Sequence, residues 1–214
     1  MDKVAVLASG GLDSSVLIAD LARNAQVYPI YVKVGLKWEA EERKAVGGFI
    51  AALNSPNVQP ITEISMPVQP LYGDHWGVTG KGVPQAGEAD EAVFLPGRNI
   101  ILIGLAAVWC STHGVGRIAI GSLGGNPFPD ATPEFFKGFG DVLSQGLAHK
   151  VRVEAPYRGM HKSELISAHP ELPLHLSLTC MIPRDGKHCG KCQKCEERQM
   201  AFGEAGVKDK TTYV

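Results

Sequence analysis

The stretch KVAVLASGGLDSS, residues 3–15, decides how this chain is read. Residues 3–8 are apolar with little alternation, the pattern of a strand buried on both faces of a parallel sheet. Gly10 and Gly11 interrupt it with a turn, and apolar residues then return at helical spacing, at Leu12, Val16, Leu17 and Leu21. Strand, glycine turn and helix in immediate succession aim backbone N–H groups and a helix N-terminus at one point, which suits an anion. Ser9, Ser14 and Ser15 add hydroxyl donors for phosphate oxygens. Asp13 places a carboxylate where Mg2+ bridging those oxygens can be held. Phosphate with magnesium means a nucleotide; the plain alternative is a tight turn with Asp13 capping the helix.

Outward from this turn the alternation continues. The patterns predict a strand at residues 27–34, a helix at 38–53 and a strand at 58–65. Beyond residue 95 they predict a helix at 98–113, a strand at 116–121, a helix at 133–147, a strand at 150–154 and a helix at 161–168. Strands alternating with helices imply right-handed crossovers and an α/β doubly wound parallel sheet. The helix at 98–113 is almost wholly apolar and is expected to lie buried against the sheet. Residues 66–95 break the rhythm with Gly, Pro and polar residues, and are expected to form a structureless, mobile flap over a site. The final forty or so residues read as cysteine-rich loop plus one short helix. The domain reading is 1–175 for the sheet domain and 176–214 for a cysteine-rich segment packed on it.

At 214 residues the chain suits one domain with a small appendage, and 44% hydrophobic with 20% charged residues is the composition of a globular protein, not a disordered one. A net charge of -1 lacks the footprint of a strongly basic nucleic-acid binder. The opening MDKVAVLASGG has too few apolar residues before glycine for a signal-peptide core or a membrane span, so the expected compartment is the cytoplasm and no membrane contact is expected.

Two other nucleotide signatures fail. The adjacent glycines Gly10 and Gly11 do not match the dinucleotide pattern G-x-G-x-x-G. The kinase-type P-loop fails at Gly80-Lys81, which is followed by Gly82 and preceded by His75 where the first glycine belongs. Of the five cysteines, Cys110 sits in an apolar helix beside Trp109 and reads as a small core residue. The other four form Cys180-x8-Cys189-x2-Cys192-x2-Cys195. Four soft ligands in one short segment suit a closed, structural Zn2+ site. An iron-sulfur cluster on the same ligands and a redox C-x-x-C pair are the alternatives.

The SGGLDS turn after the first strand resembles the pyrophosphate loop of the PP-loop ATP-pyrophosphatases, an adenine nucleotide alpha hydrolase-like fold. Within that group, the cysteine spacing followed by Arg198 and Ala201-Phe202 resembles the 7-cyano-7-deazaguanine synthase family, also called queuosine-precursor or ExsB-like. Further pieces fall in order: Pro96-Gly97-Arg98-Asn99; Pro129-Asp130 with Pro133-Glu134-Phe135; and Ala155-Pro156 with Lys162-Ser163-Glu164. The resemblance runs from residue 3 to about residue 209. Two segments depart from the family pattern, residues 34–39 (Val-Gly-Leu-Lys-Trp-Glu) and 121–128 (Gly-Ser-Leu-Gly-Gly-Asn-Pro-Phe). Both are expected beside the acceptor pocket.

The resemblance implies an ATP-dependent, C–N-forming ligase that converts 7-carboxy-7-deazaguanine and ammonia to the nitrile through an acyl adenylate. It implies ATP, Mg2+ and structural Zn2+ as cofactors, a small-molecule carboxylate as partner, and a homodimer. By the same resemblance the nucleotide is held by Leu7, Ala8, Ser9, Gly10, Gly11, Leu12, Asp13, Ser14, Ser15, Val16 and Leu17, and the zinc by Cys180, Cys189, Cys192 and Cys195. Asp13, Lys162 and Arg98 are the candidate catalytic residues. A lysine in the Lys162 segment faces the phosphates in the family, against the bland reading of a solvated lysine. Arg98, at a helix start, has a fork suited to carboxylate or phosphate, against a structural ion pair. Trp38, Trp76, Phe94 and Phe128 are candidates to stack on a purine-like ring, although aromatics are commonly core. His75, His113, His161, His169, His175 and His188 show no ligand spacing and read as surface or supporting residues. Two other readings stand beside this one: a related ligase adenylating a different carboxylate, amide or tRNA base, and a non-catalytic nucleotide-binding subunit. Retention of Asp13 and both serines argues against the second.

Overall fold

The structure, a computed structural model, describes residues 1–214. Five parallel strands form one sheet in the order β3-β2-β1-β4-β5: β1 Asp2–Leu7, β2 Ala25–Lys33, β3 Thr62–Ser65, β4 Arg117–Ala119 and β5 Arg152–Glu154. The register pairs Val4 with Val27 and Leu7 with Ile30 on one side of β1, and Ala5 with Ile118 on the other. β1 is therefore central, buried on both faces, as its unbroken apolar run requires.

Helices cover both faces. Ala5 and Leu7 face a core shared with Ile103, Ala106 and Cys110 of α5 (Arg98–His113) and Phe136 of α6 (Pro133–Leu147). Val4 and Val6 face the opposite core, with Val16 and Leu17 of α1 (Leu12–Leu21), Val46 of α2 (Glu39–Leu53) and Leu165 of α7 (Lys162–Ala168). The chain leaves β1 through α1 to β2 and β3, then returns through α5 to β4 on the other side of β1. The crevice above the carboxyl end of β1 is thus a topological switch point, the place where open α/β sheets bind ligands.

The last helix, α8 (Gln193–Ala205), closes the fold. The cysteine segment belongs to the α5 core, while Ala201 and Phe202 of α8 belong to the α1 core, so residues beyond 176 join both. Arg198 is fully buried, donating to Ser177 Oγ at 3.0 Å and the Leu174 carbonyl at 2.9 Å, with Asp209 at 3.4 Å and its guanidinium on the Phe202 ring.

Three expectations need correction. The segment 66–95 is not structureless: it holds two single-turn helices, α3 (Gln69–Tyr72) and α4 (Trp76–Thr79), and a 3-10 turn at Asp90–Val93. Val68, Val83 and Leu95 are buried, and the Ala86 N–H donates to the Lys191 carbonyl, tying the segment to the cysteine-rich loop. Its apolar anchors are too widely spaced to register as a periodic element. α5 buries one face only: Ile100 and Val108 are about half exposed, because a single sheet covers one stripe of a helix. The third strand begins at Thr62, with Val58 bridging Val27 alone, because Pro60 has no N–H to continue the ladder.

Gly10 marks the tightest contact near the crevice. Its φ is +73°, and a Cβ there would stand 2.5 Å from the Glu42 carbonyl oxygen of α2. Gly10→Ala is expected to cost on the order of 2 kcal/mol and lower the melting temperature by roughly 5 °C. Gly125→Ala, where a Cβ meets nothing within 4 Å, should leave the melt unchanged.

Candidate active site and metal centre

α1 starts at Leu12 with Gly11 as N-cap and no side-chain cap, so the N–H groups of its first turn are free. The hydroxyls of the turn bond among themselves: Ser9 Oγ and Ser14 Oγ lie 3.1 Å apart, Gly11 N donates to Ser9 Oγ, and Ser14 Oγ donates to the Gly11 carbonyl. Gly121, just past β4, abuts this turn, where a Cβ would lie 2.9 Å from the Asp13 carbonyl carbon.

Two cavities meet here. The smaller, about 160 Å³, opens over the ends of β1 and β2 and is lined by Leu7, Ala8, Ile30, Val32, Asn99 and Leu102 among others. The larger, about 760 Å³, is walled by Trp38, Trp76, Phe128, Val93, Leu95 and the α8 side. Ser9, Gly11, Asp13, Glu42, Arg98 and Gly121 border both. Leu12 borders the larger cavity and Ser14 the smaller, whereas Ser15, Val16 and Leu17 lie in the interior behind the turn, with Ser15 Oγ unpartnered. Gly10 supports the turn from beneath, accepting a hydrogen bond from Leu178 N at 2.8 Å.

Lys162 is not a solvated lysine. It opens α7 with its side chain 12% exposed, and Nζ lies 3.7 Å from Asp13 and beside Glu197, which also pairs with Lys194 at 2.6 Å. Burial opposes the Lys162 charge, but Asp13 and Glu197 outweigh it and raise its pKa. Burial likewise opposes charge on Glu197, and Lys162 and Lys194 override it, lowering the carboxyl to about 2. Burial raises the Asp13 carboxyl against the pull of Lys162, and one Asp13 oxygen has no partner. Glu197 escaped the sequence reading because only the fold brings α8 to the glycine turn.

Arg98 Nε is buried without a partner, so the structural-ion-pair reading of this residue is not met. Its neighbour Asn99 binds Asp130: Asn99 N donates to Asp130 Oδ2 and Asn99 Nδ2 to the Asp130 carbonyl, each at 2.9 Å, joining two motifs distant in sequence. Glu42, also unflagged by the sequence, accepts from Trp38 Nε1 at 2.9 Å and from Tyr31 OH at 3.1 Å. Burial raises its carboxyl to about 7 despite nearby Arg98. Trp38 stacks on Trp76 with centroids 5.6 Å apart, and Phe94 on Phe128 at 4.8 Å, so the aromatic candidates pair with one another; all but Phe94 border the large cavity. Arg158 holds the loop between Leu123 and Asn126 by donating to the carbonyls of Leu123, Gly124 and Asn126. Both departing segments thus border the large cavity, through Trp38 and through Leu123–Phe128.

The four cysteines converge as expected, buried, with their sulfurs within 4.8 Å of one another. Cys189 Sγ and Cys195 Sγ are 3.8 Å apart, the edge of a tetrahedron with metal–sulfur bonds of about 2.3 Å. Lys191 N and Cys192 N donate to Cys189 Sγ, and Cys189 N to Cys180 Sγ, bonds that favour thiolates. The donor set and geometry fit Zn2+ in a closed site.

A doubly wound α/β sheet, a PP-loop-type turn at its switch point and a four-cysteine segment define the class of this protein. The model of the family described as "Queuosine biosynthesis protein QueC" matches residues 3–206. The chain belongs to that family. It is 32% identical to a 7-cyano-7-deazaguanine synthase of Methanocaldococcus jannaschii over 99% of both chains. It is 31% identical to one of Methanopyrus kandleri over 100% of both. Among solved structures, a predicted tRNA methyltransferase subunit of Methanocaldococcus jannaschii shares the fold, with a TM-score of 0.53 at 13% identity, over 100% of this chain and 93% of that one. No helix is long and apolar enough to cross a membrane.

Two outcomes are expected here. Glu42 titrates near 7 folded against its ordinary 4.5, so between those values the folded state holds an extra proton and stability falls as pH rises. Glu42→Gln removes that dependence, and melts of the ligand-free chain should show the variant gaining on wild type from pH 5 to pH 8. Cys189→Ser should lose bound zinc and melt at lower temperature; full zinc content with an unchanged melt refutes the metal assignment.

Proposed function

We propose that this chain is an ATP-dependent synthase that converts 7-carboxy-7-deazaguanine and ammonia to 7-cyano-7-deazaguanine, in queuosine precursor biosynthesis. Family membership and the names of its relatives support the product class. The observation that carries the chemistry is the seam: one glycine turn borders both a small cavity over the strand ends and a larger aromatic-walled one. In this reading the small cavity takes the nucleoside of ATP, and the free N–H groups of α1 take its pyrophosphate. The acceptor occupies the large cavity with its carboxylate at the seam.

The reaction asks for charge stabilisation, since the substrate supplies the nucleophile. The acceptor carboxylate oxygen attacks the α-phosphorus and pyrophosphate leaves. Ammonia adds to the acyl carbon, and AMP leaves with the C–O electron pair to give an amide. The amide oxygen attacks the α-phosphorus of a second ATP and pyrophosphate leaves; AMP then departs with the C–O electron pair and the nitrogen gives up its protons, leaving the nitrile. Lys162 and Arg98 offset the charge developing on the phosphates, while Glu197 holds Lys162 until nucleotide arrives. Mg2+ held by Asp13 would neutralise further phosphate charge. Zn2+ on Cys180, Cys189, Cys192 and Cys195 would be structural, fixing the start of α8 and with it Glu197.

Trp38 and the 121–128 loop, which depart from the family pattern, border the acceptor cavity and favour a second reading in which the same chemistry serves a different heterocyclic carboxylate. Pure protein with ATP, Mg2+, ammonium and 7-carboxy-7-deazaguanine should release pyrophosphate and form the nitrile. Pyrophosphate with another acceptor alone supports the second reading, and none with any acceptor refutes both. Asp13→Asn is expected to lower kcat/KM on the order of a hundredfold.

A further inference from the structure

One buried group on the wall of the large cavity has no role in the steps above. Gln193 opens α8 directly after Cys192, is 5% exposed, and borders the cavity. Its Nε2 donates to Asp90 Oδ1 at 2.5 Å. A carboxylate only accepts, so Asp90 fixes which end of the amide carries the nitrogen. The remaining Oε1 is buried and has no hydrogen-bond partner. An orphaned buried acceptor is uncommon in native proteins and calls for a donor. The frame around it is firm: Gln193 N donates to the Pro84 carbonyl, and Cys192 and Cys195 flank it at the metal centre.

The surroundings indicate what the donor belongs to. Trp38, Trp76 and Phe128 wall the same cavity, which suits a planar ring. Thr179 Oγ1, also buried and unpartnered, borders it too. We propose that Gln193, oriented by Asp90, is a specificity-determining residue that accepts a hydrogen bond from a ring or exocyclic N–H of the heterocyclic acceptor. This rests on the reading of the large cavity as the acceptor site. An amide oxygen held in this way pairs with N–H and is left unsatisfied by a ring nitrogen lone pair or a carbonyl, so it discriminates between heterocycles of equal shape.

The competing role is a strap, in which the Gln193–Asp90 bond merely ties the 83–93 segment to α8. Gln193→Met keeps the volume and removes the acceptor. It should raise KM for 7-carboxy-7-deazaguanine roughly tenfold, with KM for ATP, zinc content and melting temperature unchanged. Asp90→Ala should raise the acceptor KM less, and the double variant should match Gln193→Met, since Asp90 acts through Gln193. An acceptor KM within twofold of wild type in Gln193→Met overturns the inference, as does a parallel rise of both KM values with a lower melt. A wild-type chain that makes no pyrophosphate with any heterocyclic carboxylate overturns the reading of the cavity itself, and the inference with it.

Discussion

The close packing of the turn between β1 and α1 is the constraint on which the rest depends. Gly10 lies against the Glu42 carbonyl, Gly121 against the backbone of Asp13, and Leu178 N donates to the Gly10 carbonyl. Three remote segments, α2, the end of β4 and the loop before Cys180, therefore converge on one bend of chain with no room for a side chain at Gly10. Each also brings part of a cavity wall: Trp38 and Glu42, then Gly121 and the loop after it, then Leu178 and Thr179. The turn sets the distance between these walls and, through them, the seam between the two cavities.

Charge is distributed around that seam in a chain of contacts. Asp13 on α1, Lys162 on α7, and Glu197 and Lys194 on α8 form one connected group of two acids and two bases. Internal neutrality lets four ionisable side chains sit partly buried, where isolated charges would be costly. Glu197 thereby holds both lysines in place beside the seam. The four-cysteine cluster stands at the foot of α8, so one helix joins the cluster to the seam.

The 66–95 segment has a related place. Its buried Val68, Val83 and Leu95, and its backbone bonds to Lys191 and Gln193, make it a wall of the large cavity that is built jointly with the cysteine segment. Folding of the cysteine-rich loop and completion of the cavity are thus linked by direct contacts.

Much was legible in the sequence because it was local. Burial on both faces shows as an unbroken apolar run in β1, and helical spacing as period in α1. The glycine turn and the C-x8-C-x2-C-x2-C spacing carry their chemistry in neighbouring residues, so a candidate anion site and the convergence of the four cysteines could be named before the fold was known. Glu42, Glu197, Asp90 and Gln193 could not be. Glu197, Asp90 and Gln193 take their meaning from partners far along the chain, Lys162 for Glu197 and the Asp90–Gln193 pair across more than a hundred residues, and Glu42 takes its meaning from the burial that the fold gives it. The same holds for the half-exposed face of α5 and the ordering of residues 66–95. Periodicity reports which side of an element is apolar, whereas only tertiary packing decides what covers it and which buried polar atom is left without a partner.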